Sequence, residues 1–336
     1  MIRVIHQGLG PIGRETARLV LQDKNLQIVG AIDPKYAGKD VGYLLGIKSL
    51  GIEITDNAED LFKETKPDVL VLTTVSELDQ IIPSIELAVT NGINIVSPSE
   101  ELFYPQFVDK EKAEYLDKLA SEYNVSILGR GVNPGCLMDT YPLHVFRNHF
   151  TELGSMKVYR WDNTIERREP LLLKTGAGLT PEEFDQLNKQ GKLGHVGLRM
   201  SGAFLADNIG LKDYEIVFSR KPVIAEEAIK PAHGKEIAKG YVTGLHETCD
   251  ILIGGEKKIS LDLRMFVGAE NKNSVEISGR KIDYSNIVNG DIATTRILKD
   301  MISFVVRGPA GLNRVDYIPN PNKLLGNPNN PAPSGL

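Results

Sequence analysis

Apolar and polar positions follow two rhythms along this chain, and the change falls near Gly135. Before it, short apolar runs alternate with segments of helical period. Residues 2–6 read as a buried strand and 26–32 as a second one. Between them, residues 11–21 read as a helix with Ile12, Thr16, Leu19 and Val20 on one face. Val69-Leu70-Val71-Leu72 is an uninterrupted apolar run, the pattern of a parallel strand covered on both faces. Residues 78–90 read as a helix, 93–96 as a strand, 110–123 as a helix with both charge signs outside, and 125–128 as a strand. This β-α-β-α order predicts a parallel sheet with helices on both faces, an α/β Rossmann-type doubly wound fold.

After Gly135 the period shortens. Residues 154–163, 214–219, 239–254, 258–267 and 272–278 read as strands, several with the alternation of an antiparallel sheet covered on one face. Residues 136–146 read as helical. Thr180-Pro-Glu-Glu is a helix-start signal for residues 180–189. Residues 291–306 are helical, with Ile297, Leu298, Met301, Ile302 and Val305 on one stripe. Residues 319–336, rich in Pro, Asn and Gly, read as an extended tail.

Composition narrows the class. At 336 residues and 41% apolar content the chain can bury a sizeable core, which excludes disorder as its main state. A net charge of −5 gives no broad grip on nucleic acid or on an anionic membrane. Two cysteines, Cys136 and Cys249, make neither a disulfide framework nor a Cys-x-x-Cys zinc pair, so a reducing, cytoplasmic setting is expected and no metal. No secretory leader is read at Met1-Ile2-Arg3-Val4-Ile5, and no apolar run reaches the roughly 18 residues of a membrane span.

The strongest local signal is Gly8-Leu9-Gly10-Pro11-Ile12-Gly13, placed between a strand and a helix. Asp33 lies 20 residues past Gly13, at the end of the second strand. That spacing is the dinucleotide fingerprint. Gly8 allows the tight turn, Gly10 lets the backbone approach a pyrophosphate, and Gly13 lets helix and strand pack closely. Pro11 and Ile12 open the helix whose N-terminus favours an anion. Asp33 suggests NAD, because a carboxylate accepts from the ribose 2′-hydroxyl and repels a 2′-phosphate. Lys35 keeps NADP open. Thr73 and Thr74 follow the fourth strand, at the carboxyl edge where a cofactor lies.

At the same edge, Ser97-Pro98-Ser99-Glu100-Glu101 puts two carboxylates where a nicotinamide would project. One of them could serve as general base or hold a substrate cation; equally, both could be solvated residues of the next turn. Gly129-Arg130-Gly131-Val132-Asn133-Pro134-Gly135 forms a tight loop after the last strand. The helix expected from Cys136 would point its N-terminus at the cofactor. Ser99 and Asn133 join the cofactor-binding candidates.

Several stretches resemble the 2,4-diaminopentanoate dehydrogenase family, which includes native amine dehydrogenases. They are Gly131-Val132-Asn133-Pro134-Gly135 through Thr140, Ser99-Glu100-Glu101-Leu102 before Tyr104-Pro105, Arg168-Glu169-Pro170, Lys174-x-Gly176 through Phe184, and Gly194-His195-Val196-Gly197-Leu198. The resemblance covers nearly the whole chain. It implies a dihydrodipicolinate-reductase-like Rossmann domain plus an α+β domain, usually as a homodimer. The expected division is residues 1–135 with 291–336 for the dinucleotide, and 136–290 for substrate and dimerisation. The resemblance implies that one glutamate of the pair, Glu101 in preference to Glu100, handles the reacting amine and water. His195 and His246 become candidates for the substrate pocket, with Asn163, Arg160 and Leu137. Thr294 joins them if the last helix returns to the cofactor domain. Arg168 reads as one half of a structural ion pair.

The chemistry implied is NAD(P)-dependent oxidative deamination of an amine such as 2,4-diaminopentanoate to a ketone and ammonia, and the reverse reductive amination. Cofactor and substrate would meet between the two domains. Dihydrodipicolinate reductase itself is disfavoured, because none of the six histidines are adjacent and its Pro-Ser-Gly-Thr run is missing. Another dehydrogenase of this fold, one acting on amino acids, or a non-catalytic NAD(P)-sensing regulator are the alternatives. The glutamate pair speaks against the regulator.

Overall fold

A computed structural model describes residues 1–285 and 290–313. The chain forms two compact units, one of Met1–Gly135 with the C-terminal helix, the other running from Cys136 through the second sheet.

The first unit begins with β1 (Ile2–Gln7), α1 (Pro11–Gln22), β2 (Leu26–Ile32), α2 (Val41–Leu44), β3 (Ile54–Thr55) and α3 (Ala58–Thr65). It continues through β4 (Val69–Leu72), α4 (Leu78–Thr90), β5 (Asn94–Ser97), α5 (Glu100–Phe103), α6 (Pro105–Val108), α7 (Lys110–Glu122) and β6 (Ser126–Gly129). Strand β4 is buried at all four positions, as its unbroken apolar run requires. Pro11 stands in the first turn of α1, where its fixed φ suits the helix and its missing N–H costs nothing. The buried stripe of α1 is Gly13, Thr16, Ala17 and Val20, the three-and-four spacing of one helical face.

The second unit contains α8 (Thr140–His149), β7 (Met156–Asn163), a 3-10 turn at Thr164–Glu166, α9 (Glu169–Lys174), α10 (Pro181–Lys189) and α11 (Gly197–Ile209). Then come β8 (Glu215–Ile224), β9 (Val242–Ile253), β10 (Glu256–Phe266), β11 (Lys272–Ile277) and β12 (Arg280–Asp283). The chain returns to the first unit with α12 (Gly290–Arg307) and β13 (Gly311–Leu312).

The first sheet is parallel throughout, in the order β13-β6-β5-β4-β1-β2-β3. Its direction of winding reverses between β1 and β4, which places the ligand-binding crevice beyond the carboxyl ends of these two strands. Ile5, Leu70, Leu72, Ile81, Ile85 and Ile95 belong to one core. Helix α12 packs on α1 and across β4, β5 and β6, burying Leu298, Met301, Ile302 and Val305.

The second sheet has the order β12-β11-β7-β10-β9-β8 and is mixed rather than antiparallel throughout. Strands β7 and β10 run parallel, while the other neighbours are antiparallel. A parallel pair needs a long crossover, and three helices and two strands lie between β7 and β10 in the chain. Single-strand alternation does not encode that choice.

The helix expected over 136–146 starts later, at Thr140. A helix running through Cys136 would press the Pro142 ring against the Met138 carbonyl, whereas a start at Thr140 puts Pro142 in the tolerant first turn. Asp139 caps this start, accepting from the Thr140 N–H at 2.6 Å and from the Ser201 hydroxyl at 2.8 Å. Thr180 and Glu183 form a reciprocal capping box on α10, as the Thr-Pro-Glu-Glu signal predicts. The tail read at 319–336 lies outside the described residues. No helix of the described residues is long and apolar enough to cross a membrane.

Candidate functional site

The glycine loop sits at the carboxyl ends of β1 and β4, and main-chain contacts hold it there. Gly8 has φ +87°, and a Cβ on it would stand 2.5 Å from the Thr73 carbonyl oxygen. The Thr73 hydroxyl donates to the Gly8 carbonyl at 2.7 Å, joining the two strands at the switch point. A Cβ on Gly13 would meet the Gly8 carbonyl oxygen at 2.0 Å, so only glycine lets α1 come this close. Gly10 is different. It caps α1 with ordinary φ, and open space surrounds the place of its Cβ. Among the described residues no side chain caps this helix, so its first N–H groups remain available. A crowded Gly8 and Gly13 beside an open Gly10 and an uncapped N-terminus fit a dinucleotide pyrophosphate.

Asp33 closes the loop from the β2 side. Its Oδ2 accepts from the Leu9 N–H at 2.7 Å and its Oδ1 from the Lys35 N–H at 3.0 Å. Beyond it, the Tyr36 ring lies under the ammonium groups of Lys35 and Lys39, at 5.5 and 5.6 Å from its centroid. Thr74 is exposed next to Gly8. The Ser99 hydroxyl donates to the Val75 carbonyl at 2.6 Å and accepts from Ser97 at 2.9 Å, so it ties the β4 and β5 ends together.

The two glutamates follow immediately on α5 and differ in environment. Glu101 Oε2 accepts the N–H of Leu78, the first residue of α4, at 2.7 Å. The Glu101 N–H donates to the Ser76 carbonyl at 3.1 Å. One carboxylate oxygen is thus anchored at a helix N-terminus, where negative charge is favoured. Among the described residues no hydrogen-bond donor reaches the other oxygen. Glu100 is buried, with the Ser76 hydroxyl 3.5 Å from its Oε1. Ser76 therefore touches both glutamates. Sequence reading did not single it out, although its place just after Thr73-Thr74-Val75 at a parallel-strand end was a usable signal.

The loop after β6 is held by α12. Thr294 Oγ1 accepts from the Val132 N–H at 3.3 Å, so this residue of the last helix does lie in the first unit. Asn133 keeps a buried Oδ1 with no hydrogen-bond partner among the described residues, an acceptor open to a ligand.

The remaining candidates belong to the second unit. Leu137 is buried, and its carbonyl accepts from the Tyr284 hydroxyl at 3.0 Å. Asn163 caps the 3-10 turn, its Oδ1 accepting from the Ile165 and Gly268 N–H groups at 3.0 Å each. Its side chain is committed to the backbone. His195 follows Gly194, whose missing Cβ lets the loop pass over a buried ion pair of Arg220 Nε and Glu247 Oε1 at 2.5 Å. Arg220 also donates to the His195 carbonyl at 3.4 Å. Arg168 caps α9 through its backbone.

Arg160 and His246 do not line one pocket. In the register of the sheet, Arg160 shares a row with Leu263 and Glu247, while His246 shares the next row with Arg264 and Trp161. Successive strand residues face opposite sides, so the two point away from each other across the sheet. His246 Nε2 pairs with Asp262 Oδ2 at 3.2 Å. Burial pushes the Asp262 carboxyl up, but hydrogen bonds from His246, Arg264 and Trp161 outweigh it and hold it at about 2. His246 thus pairs with Asp262 on the sheet face opposite to that of Arg160. Among the described residues, no group of three His, Cys, Asp or Glu side chains is placed to hold a metal ion.

A family model of the 2,4-diaminopentanoate dehydrogenase C-terminal domain matches residues 149–332, and one of the dihydrodipicolinate reductase N-terminus matches residues 2–102. The chain is 30% identical over 340 aligned residues to a 2,4-diaminopentanoate dehydrogenase of Acetoanaerobium sticklandii, covering 97% of this chain and 95% of that protein. It is 33% identical over 133 residues to a 4-hydroxy-tetrahydrodipicolinate reductase of Methanocaldococcus jannaschii, a match to only 38% of this chain. Among solved structures, an amine dehydrogenase from Mycobacterium smegmatis superposes with a TM-score of 0.81 at 25% identity, covering 95% of this chain and 96% of that one.

Proposed function

The chain belongs to the 2,4-diaminopentanoate dehydrogenase family and is an oxidoreductase acting on CH–NH2 groups; from that premise we propose that it deaminates an amine such as 2,4-diaminopentanoate to the ketone, and runs the reverse reductive amination. The observation that carries this reading is Glu101, a carboxylate with one oxygen anchored by the Leu78 N–H and the other without a donor among the described residues. Glu101 takes a proton from the substrate ammonium, directly or through water, because only the neutral amine can release hydride. A nicotinamide cofactor held at the Gly8–Gly13 loop would supply the hydride acceptor. Once that proton has passed to solvent, the Glu101 carboxylate faces an iminium cation and stabilises it. It next deprotonates the water that adds to the iminium carbon, and collapse releases ammonia. In sum, ammonium, oxidised cofactor and water give ketone, ammonium ion, reduced cofactor and one proton. Glu100, buried beside Ser76, supports the loop.

NAD is the preferred cofactor in this reading, because the Asp33 carboxylate stands where a 2′-phosphate would be repelled. Lys35 and Lys39 around Tyr36 favour NADP as the second choice. A homodimer is proposed on the outer face of the second sheet, where the Trp161 ring lies under Arg264 and Lys272. The thiols of Cys136 and Cys249 support a reducing compartment, the cytoplasm.

The test is absorbance at 340 nm, with 2,4-diaminopentanoate and NAD⁺ on one side and simple ketones, ammonia and NADH on the other. Glu101→Gln should lower kcat by about 10²–10⁴-fold with NADH affinity kept. Loss in Glu100→Gln with activity kept in Glu101→Gln would transfer the role to Glu100. Full activity in both variants would end the carboxylate mechanism.

A further inference from the structure

A serine at the start of a helix ordinarily turns its oxygen to the N–H groups of the first turn. Ser99 stands at that position on α5 and makes no such bond. Its hydroxyl, on a residue only 3% exposed, donates instead to the Val75 carbonyl at 2.6 Å. Ser97, fully buried, fixes Ser99 from behind. The Ser97 Oγ accepts the Ser99 N–H at 3.1 Å and lies 2.9 Å from the Ser99 hydroxyl and 2.7 Å from the Leu72 carbonyl.

The groups that Ser99 leaves are served across the strand ends. The N–H of Glu101, in the first turn of α5, donates to the Ser76 carbonyl at 3.1 Å. In return Glu101 Oε2 accepts the N–H of Leu78 at 2.7 Å, because Glu77, at the N-cap of α4, makes no capping bond of its own. Bonds to Val75, Ser76 and Leu78 thus tie residues 99–101 to residues 75–78, one made by Ser99 and two by Glu101. The direction of the Glu101 carboxylate depends on where the Leu78 N–H stands, and Ser99 holds the carbonyl three residues before it. The other end of this segment has separate anchors. The Thr73 N–H donates to the Gln7 carbonyl at 2.8 Å, and the Thr73 hydroxyl to the Gly8 carbonyl at 2.7 Å. Ser99 therefore acts on the Glu101 end of the segment, while Thr73 serves the glycine-loop end.

We infer that Ser99 is a positioning residue for the general base, holding the Glu101 carboxylate in place through residues 75–78. This rests on the amine-dehydrogenase reading, which gives Glu101 its task, and adds a residue to that site. A hydroxyl has one proton, and that of Ser99 is given to Val75, so none is left to donate to a cofactor. A shift of about 1 Å in a group that must meet a reacting atom costs on the order of 10²-fold in rate. Ser99 takes no part in proton or hydride transfer itself.

The experiment compares Ser99→Ala, Glu101→Gln and the double variant with 2,4-diaminopentanoate and NAD⁺. Ser99→Ala should lower kcat by about 10–100-fold and leave the KM for NAD⁺ within about twofold of the wild-type value. In the Glu101→Gln background the same change should cost about twofold or less, because residues that act as one unit do not add. Ser99→Cys, a weak donor of similar size, should give an intermediate kcat; it also serves if the Ala variant does not fold. An unchanged kcat, a loss explained by a higher KM for NAD⁺, or the full loss repeated in the Glu101→Gln background overturns the inference while leaving the amine-dehydrogenase reading standing. Amide hydrogen exchange reads the same contact without turnover. In Ser99→Ala the Leu78 and Glu101 amides should exchange about fivefold faster or more, while Leu70 and Ile95 within the sheet keep their wild-type rates. A wild-type protein that turns over no amine removes the amine-dehydrogenase reading, and exchange alone then decides whether Ser99 holds Glu101. Unchanged exchange at Leu78 and Glu101 ends the inference in either case.

Discussion

The Asp33 carboxylate accepts the backbone N–H of Leu9 at 2.7 Å, so the acidic residue that ends β2 is built into the glycine loop it was expected to assist. With Lys35 held by the other oxygen, a single side chain fixes both the loop and the turn beyond β2. Asp33→Asn would set an amide N–H against one of these donors. Stability should fall by about 1–2 kcal/mol, the cost of a lost acceptor in a partly buried place. The KM for NAD⁺ should rise more than that for NADP⁺, because the 2′-hydroxyl acceptor is weakened and the phosphate repulsion removed. Thermal unfolding and KM for both cofactors check this; an unchanged ratio of the two KM values would show that Asp33 acts only on the loop.

Gly13 and Gly10 should separate under the same substitution. In Gly13→Ala the new methyl meets the Gly8 carbonyl oxygen at 2.0 Å and the Thr73 hydroxyl at 2.6 Å, both parts of the switch-point stitch. Helix α1 must shift, at a cost of about 2–3 kcal/mol, within the range for overpacking. Gly10→Ala meets open space at ordinary φ and should leave stability within about 0.5 kcal/mol. It should still weaken NADH binding, because the methyl projects where the pyrophosphate comes in. Melting curves and NADH fluorescence titration read the two effects separately. Tight binding by Gly10→Ala would contradict the proposed phosphate position.

His6 gives the fold a defined acid limit. It lies in β1 between Ala31 and Val71, fully buried, with no hydrogen-bond partner for either ring nitrogen among the described residues. Burial pushes its pKa down from 6.5 to about 4. The folded state therefore binds its proton later than the unfolded chain. Between pH 6.5 and 4 the unfolded state holds more protons, so this contribution is complete above about pH 6.5 and is lost as pH falls towards 4. The displacement corresponds to about 3 kcal/mol. Urea unfolding at pH 7.5, 6 and 5 should show this slope in the wild-type protein and a flatter one in His6→Leu. Identical slopes would assign the acid sensitivity to other groups.

By itself the sequence determined what is local in the chain. The unbroken run at 69–72, the strand–glycine–helix order around Gly8 and Gly13, and the capping signal at Thr180 each lie within a few residues. Period and cap chemistry act over that range, so the α/β class was legible from them, while the family was legible through the resemblance of the stretches around Gly131, Glu101, Lys174 and His195. Tertiary structure alone decided what depends on residues far apart. Glu101 anchors a helix that begins 23 residues before it, and Ser76 joins both glutamates, because β4 and β5 end side by side. The parallel pairing of β7 with β10 sets residues about a hundred positions apart in one row. That register put Arg160 on the covered face and His246 on the other, although both had read as members of one pocket. Alternation along a strand states that its two sides differ; which side is buried, and beside which partner, follows from how the sheet packs.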